Sequence, residues 1–100
     1  ESEDIQLFNV YNFPNPFNDK TKFTFEISLD ADITIIVYTM GGKKIKNFKN
    51  RTYQAGFNSI LWNGRNEYGK LLPNGVYLYK IIAENNNSRT HQMGKIAIYR

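Results

Sequence analysis

The chain has 100 residues, a formal charge of +4, no cysteine and one histidine. That length fits a single domain. Without cysteine there is no disulfide framework and no thiolate-held metal, and the lone His91 excludes a multi-histidine site. No run reaches about 18 apolar residues, so no membrane-spanning helix is predicted. The opening Glu1-Ser2-Glu3-Asp4 is the opposite of a basic secretory n-region.

Aromatic residues make up 15% of the chain, which favours pleated, half-buried strands. Charge is unevenly placed. Residues 1–32 carry seven acidic and two basic side chains, whereas residues 33–100 carry two acidic and eleven basic ones. No segment shows convincing helical periodicity, and alternation dominates instead. A first strand is predicted over Ile5 to Asn12. Phe23, Phe25, Ile27 and Leu29 alternate with Lys22, Thr24, Glu26 and Ser28 in the clearest half-buried strand of the chain. Ile33, Ile35 and Val37 begin a strand with apolar residues on both faces, which is expected to be covered on both sides and to pair antiparallel with the preceding strand across Asp30-Ala31-Asp32.

Gly41-Gly42 reads as a hairpin turn, since both glycines accept positive φ. The return strand, Lys43 to Arg51, is lysine-rich. Gln54-Ala55-Gly56 turns the chain into a strand from Phe57 to Trp62, and Trp62 is the expected aromatic anchor between the sheets. Asn63 to Gly75 is irregular and rich in turn formers. Val76 to Ala83 and Thr90 to Tyr99 are the last two strands, joined by a turn over Asn85–Ser88. About seven short strands with turns every ten residues or so predict an all-β fold, an immunoglobulin-like antiparallel β-sandwich.

No catalytic constellation is present. There is no phosphate loop, no His-x-x-x-His and no Gly-x-Ser-x-Gly. His91 reads as a surface polar group, and Asp30 with Asp32 as turn-closing side chains. The loop Asn63–Gly75 has Asn63 and Asn66 where a calcium site needs carboxylates, and it reads as self-bonded. No catalytic residue, cofactor or metal is assigned. The lysines of Lys43–Arg51 read as guards of a sheet edge. A weaker reading is polyanion binding there; nucleic acid is not assigned as a partner. Carbohydrate binding stays open, since sandwiches often host it and aromatics abound, although most aromatics are expected in the core. Asn50-Arg51-Thr52 and Asn86-Asn87-Ser88 match the glycosylation pattern, a short motif that arises easily by chance.

Three blocks together carry a resemblance. The first is Asn12-Phe13-Pro14-Asn15-Pro16-Phe17-Asn18, where the prolines fix φ and hold an extended approach to the next strand, and Phe17 plugs one end of the sandwich. The second is Ile35 to Lys43, a strand ending in the glycine turn. The third is Gly56, then Leu61-Trp62-Asn63-Gly64-Arg65-Asn66, Gly69-Lys70 and Leu72-Pro73-Asn74-Gly75-Val76-Tyr77. Their order and spacing resemble the C-terminal sorting domain of type IX secretion cargo in Bacteroidetes-type bacteria, the Por secretion tail, and the related immunoglobulin-like domain of the hook-capping protein FlgD. The resemblance covers about residues 8–100. It leaves 1–7 as a linker or junction segment, with Glu1–Ile5 as a candidate cleavage stretch.

The resemblance assigns Pro14, Asn15, Pro16, Phe17, Trp62, Gly64, Gly69, Gly75 and Tyr77 to the structural motif. It assigns Gly94, Lys95, Ile96, Ile98 and Arg100, within Met93–Arg100, to a sorting signal. Asn63 and Asn66 depart from the family's aspartates, so turn bonding survives there but a carboxylate role does not. What the resemblance implies is a non-catalytic transport signal that folds in the periplasm and carries an N-terminal passenger to the cell surface or the medium. Its partners would be the outer-membrane type IX machinery and a sortase-like protease. If Arg100 is the natural end of the chain, it ends where such cargo ends. The alternative is a FlgD-like structural or adhesive module appended to an enzyme or hook-cap protein.

Overall fold

The computed structural model describes residues 4–100. Seven strands form: β1 Leu7–Phe13, β2 Thr21–Ile27, β3 Ala31–Thr39, β4 Lys44–Tyr53, β5 Gly56–Trp62, β6 Gly75–Glu84 and β7 Arg89–Ile98. They make two antiparallel sheets, ordered β1-β2-β5 and β4-β3-β6-β7. This is the immunoglobulin-like sandwich expected, with the fourth strand paired to β3 instead of β5.

Alternation dictates the core. Phe23, Phe25 and Ile27 of β2 face Ile33, Ile35 and Val37 of β3, and β6 adds Tyr77, Tyr79, Ile81 and Ala83. Each large side chain buried this way contributes about 1.5–3 kcal/mol. Ile36 and Ile82, on the outer face of the larger sheet, are also nearly buried, as the two-sided apolar pattern of β3 anticipated.

Four expectations are corrected. First, β2 and β3 do not pair. Both edges of β2 are taken by β1 and β5, and both edges of β3 by β4 and β6, so Asp30 lies in a link that crosses between sheets. Secondly, only Gly42 of the glycine pair takes positive φ, at 96°. Thirdly, the prolines do not hold an extended segment: the chain bends through residues 14–16 before Phe17 returns to a strand edge. Fourthly, of the fifteen aromatic residues only Phe17, Phe23, Phe25, Trp62, Tyr77 and Tyr79 are buried.

The lysine-rich β4 is an edge strand, where charge blocks further pairing. On the opposite side β1 lies against β7, with Gln92 Nε2 donating to Leu7 O at 3.2 Å. Packing takes in chain ahead of residue 8, because Ile5 and Leu7 are buried and Ile5 N donates to Ser88 Oγ at 2.9 Å. The rest of the candidate junction, residues 1–3, lies outside the described residues.

Candidate functional site at the motif end of the sandwich

The blocks that stand apart in sequence meet at one end of the sandwich. After β1 the chain bends and Phe17 forms a parallel bridge with Ile98. Phe17 N donates to Ala97 O at 3.0 Å, and Tyr99 N donates to Phe17 O at 2.9 Å. Asn15 adds two bonds to the same edge. Its Nδ2 donates to Lys95 O at 3.1 Å, and its Oδ1 accepts from Ala97 N at 2.9 Å. The Pro-Asn-Pro-Phe segment is therefore a clip on the outer edge of β7, covering Lys95 to Tyr99.

Buried amides and hydroxyls hold the clip. Asn12 Nδ2 donates to Thr21 Oγ1 at 3.3 Å, Thr21 Oγ1 donates to Pro14 O at 2.8 Å, and Asn15 Nδ2 also donates to Asn12 Oδ1 at 3.2 Å. Asn12 and Thr21 are both buried, where an unpaired polar atom costs about 1–3 kcal/mol; no buried side-chain nitrogen or oxygen is left unpaired among the described residues.

Phe17 plugs this end by packing on Trp62, with ring centroids 5.7 Å apart, and Trp62 stacks on Phe23 at 5.8 Å. Trp62 Nε1 donates to Arg65 O at 3.0 Å, which anchors the following loop. Gly64 has a φ of 74° and sits so near that an added Cβ would lie 3.2 Å from the Phe17 ring. Within the loop, Asn63 Oδ1 accepts from Arg65 N, and Asn66 Oδ1 accepts from Tyr68 N and Lys70 N. The amide oxygens proposed above as turn closers serve in that way. Gly69 (φ 79°) ends the inner turn, and Gly75 (φ 153°) opens β6. The loop docks on β4 through Glu67 N to Ile45 O at 3.1 Å and a Lys46–Glu67 ion pair at 3.5 Å.

The tail closes the same end. Arg100 N donates to Asn74 Oδ1 at 3.0 Å, and the guanidinium donates to Leu72 O. Tyr77 OH donates to Pro73 O at 2.6 Å; burial pushes its pKa up, and the nearby Arg100 opposes that shift. Gly94 lies under Tyr79, whose Cζ would be 2.5 Å from a Cβ there. Burial pushes the Tyr79 hydroxyl up to about 12.

The five residues assigned to a sorting signal thus divide by environment. Ile96 and Ile98 are buried in the core, and Gly94 is where Tyr79 needs space. Lys95 and Arg100 are exposed, with the Arg100 guanidinium held on the loop. Tyr99, not singled out from the sequence, is 74% exposed. Asn12, Thr21, Leu72 and Asn74 were missed as site residues. The sequence placed Asn12 at the end of the first strand and Asn74 at a turn, but the partners that make them site residues leave no mark in sequence spacing.

The sequence profile of the FlgD Ig-like domain matches residues 12–87. The chain belongs to the FlgD Ig-like domain family. Among solved structures it is similar to dimeric latent PorU from Porphyromonas gingivalis, with a TM-score of 0.81, 19% identity, and coverage of 97% of this chain but 10% of that one. It is also similar to FlgD from P. aeruginosa (TM-score 0.67, 18% identity, 79% of this chain and 61% of that chain). A third likeness is to PorZ, an essential surface component of the type IX secretion system of P. gingivalis (TM-score 0.58, 20% identity, 92% and 12%). At such identities the likeness is one of fold, and this chain spans only a tenth to three-fifths of each neighbour's length. No curated protein matches the chain in sequence.

In this FlgD Ig-like domain the clip and tail border an open cleft of about 420 Å³ lined by Pro14, Pro16, Phe17, Asn18 and Tyr99. Lys95, Arg100, Arg65 and Lys70 belong to the same end. Among the described residues no group of three or more His, Cys, Asp or Glu is arranged to hold a metal ion. No helix there is long and apolar enough to cross a membrane.

Proposed function

We propose that this domain is a non-catalytic sorting module that directs a larger passenger across the outer membrane by type IX secretion and on to the cell surface or the medium. The observation that carries this reading is the convergence of the three motif blocks with Lys95–Arg100. The tail is built into the fold, clipped by Asn15 and Phe17 and closed by Asn74 and Leu72. A receptor would therefore read a folded surface, Lys95 and Tyr99 beside Pro14 and Pro16, and not a loose peptide. The neighbouring folds of PorU and PorZ support the reading. The outer-membrane type IX machinery and a sortase-like protease are the proposed partners.

The test is a reporter fused ahead of residues 1–100 in a type IX-competent host. Export to the surface or medium is expected. A folded fusion retained in the periplasm would overturn the proposal. Lys95→Ala with Tyr99→Ala should lower export while leaving the thermal midpoint unchanged, because both side chains are exposed.

The second reading is a FlgD-like structural or adhesive module. It is favoured by the family match and by the similarity to FlgD. A gene that continues well past Arg100 would support it, and export-competent fusions would count against it.

A further inference from the structure

The outer face of the smaller sheet is a three-by-three array fixed by strand register. Its rows are Phe8–Glu26–Phe57, Tyr11–Thr24–Ser59 and Phe13–Lys22–Leu61, one residue each from β1, β2 and β5. Directly paired residues share a face. Phe8 is 42%, Tyr11 50%, Phe13 70%, Phe57 62% and Leu61 55% exposed. Isolated exposed apolar residues need no explanation, but five on one sheet face, flanking a charged strand on both sides, make a candidate contact surface.

We propose that this face is a self-association surface that takes a second copy of the same chain. The charge pattern selects that occupant. Lys22 and Glu26 stand at opposite ends of the middle strand, about 14 Å apart, with Thr24 between them. A two-fold axis lying in the interface, perpendicular to β2 and passing over Thr24, sets Lys22 of each copy against Glu26 of the other. The same operation lays Phe8 on Phe13, Tyr11 on Tyr11 and Phe57 on Leu61. One patch is complementary to itself, as a two-fold dimer requires. A glycan platform would call for rings aligned with neutral hydrogen-bonding groups, and the salt-bridging ends of β2 have no counterpart on a neutral sugar. With a border of side chains the patch covers about 400 Å², half of what a stable complex buries on each partner. The dimer is accordingly weak and reversible.

Sedimentation velocity on the 100-residue chain, from about 10 μM to about 1 mM, tests the geometry. A weight-average mass rising from monomer toward dimer is expected. Lys22→Glu and Glu26→Lys should each weaken association by about tenfold or more, since each places like charges in opposition. An equimolar mixture of the two single variants should associate again, because every contact in the mixed pair is then Glu against Lys. The Lys22→Glu/Glu26→Lys double variant should also recover. Circular dichroism of each variant checks folding, and the mixture controls for the lost Asn9 Nδ2–Glu26 bond at 2.6 Å. Tyr11→Ser, at the axis, should abolish association in an intact fold. A monomer at every concentration, a dimer indifferent to the single charge reversals, or a monomer that is retained on polysaccharide through Phe8 and Phe57 would each overturn the proposal.

Discussion

At the end of the sandwich holding Phe17, Trp62 and Arg100, three distant stretches of chain are stitched around buried rings by bonds spanning up to 82 positions. At the opposite end most side-chain bonds lie at the surface and span 25 positions or fewer, although Ile5 N to Ser88 Oγ ties the start of the chain there across 83. Asp30 Oδ1 accepts from Ala55 N at 2.8 Å, Thr52 Oγ1 donates to Asp32 at 2.6 Å, and Asn85 Oδ1 caps Asn87 N and Ser88 N. Charge leans the same way, although Asp19 and Glu67 also lie at the first end and Arg51 and Arg89 at the second. Lys20, Lys43, Lys44, Arg65, Lys70, Lys95 and Arg100 belong to the first end; Asp4, Asp30, Asp32 and Glu84 to the second, where three of them line a hollow of about 160 Å³. The difference explains which residues make recognisable motifs. Stitching distant strands demands particular side chains at particular places, whereas local turns accept many.

Trp62→Ala should have the largest effect. It removes a ring packed on Phe17 and Phe23 and the anchor for Arg65 O. A loss of about 3–5 kcal/mol in denaturant unfolding is expected. A loss below about 1 kcal/mol would show that the ring is not the keystone of this end. Gly94→Ala comes next, at about 1–3 kcal/mol, because its Cβ would lie 2.5 Å from a buried Tyr79 ring that has little room to retreat. Pairing Gly94→Ala with Tyr79→Leu should cost less than the two single changes added together.

Tyr79 also gives this region a pH signature. Its hydroxyl titrates at 10.0 when unperturbed and at about 12 in the fold. The neutral form is the one that packs, so its contribution is complete below pH 10 and is lost as pH rises toward 12. Thermal midpoints should fall across that window in the unmodified chain, and fall less steeply in Tyr79→Phe. Equal slopes in the two proteins would remove Tyr79 as the cause.

Asn15→Ala should cost about 1–2 kcal/mol. Its particular signature is faster hydrogen exchange at Ala97 N, which Asn15 Oδ1 protects. Unchanged exchange there would mean the clip does not hold β7.

Much of this was legible in the sequence. The alternation of Phe23 to Ile27 gave the inward face of β2, and the lysines of β4 marked an edge. Trp62 and Phe17 were recognisable as the plug, and Asn63 and Asn66 as loop closers. What was hidden depends on partners that spacing does not encode. The β2–β3 link looked like a hairpin because alternation is the same whether adjacent strands share a sheet or face across a core. The outer aromatic array was masked by a bulge at Asn9, whose φ of 51° shifts the register between Phe8 and Tyr11. Unbroken alternation from Leu7 would have sent Tyr11 and Phe13 inward; with the bulge they face out and Asn12 turns in. One residue in a left-handed conformation thus creates both the buried amide of the clip and the exposed face of the smaller sheet.

The smallest effect is expected at the acidic end, where its sign is informative. Asp32 and Glu84 are direct cross-strand partners, and like charges so placed repel, a repulsion that Arg89 on the other side of Glu84 reduces without removing. Asp32→Asn keeps an oxygen to accept from Thr52 while removing that repulsion. Stability should rise by about 0.3–0.5 kcal/mol at low ionic strength and by nothing measurable near 1 M salt, where the Debye length is about 3 Å. The same salt series on Asn15→Ala should show a cost that barely changes, because a neutral amide bonded to backbone has no long-range field to screen. A loss above about 1 kcal/mol for Asp32→Asn would mean that the carboxylate holds this end as firmly as the amides hold the other. The contrast between the two ends would then fail.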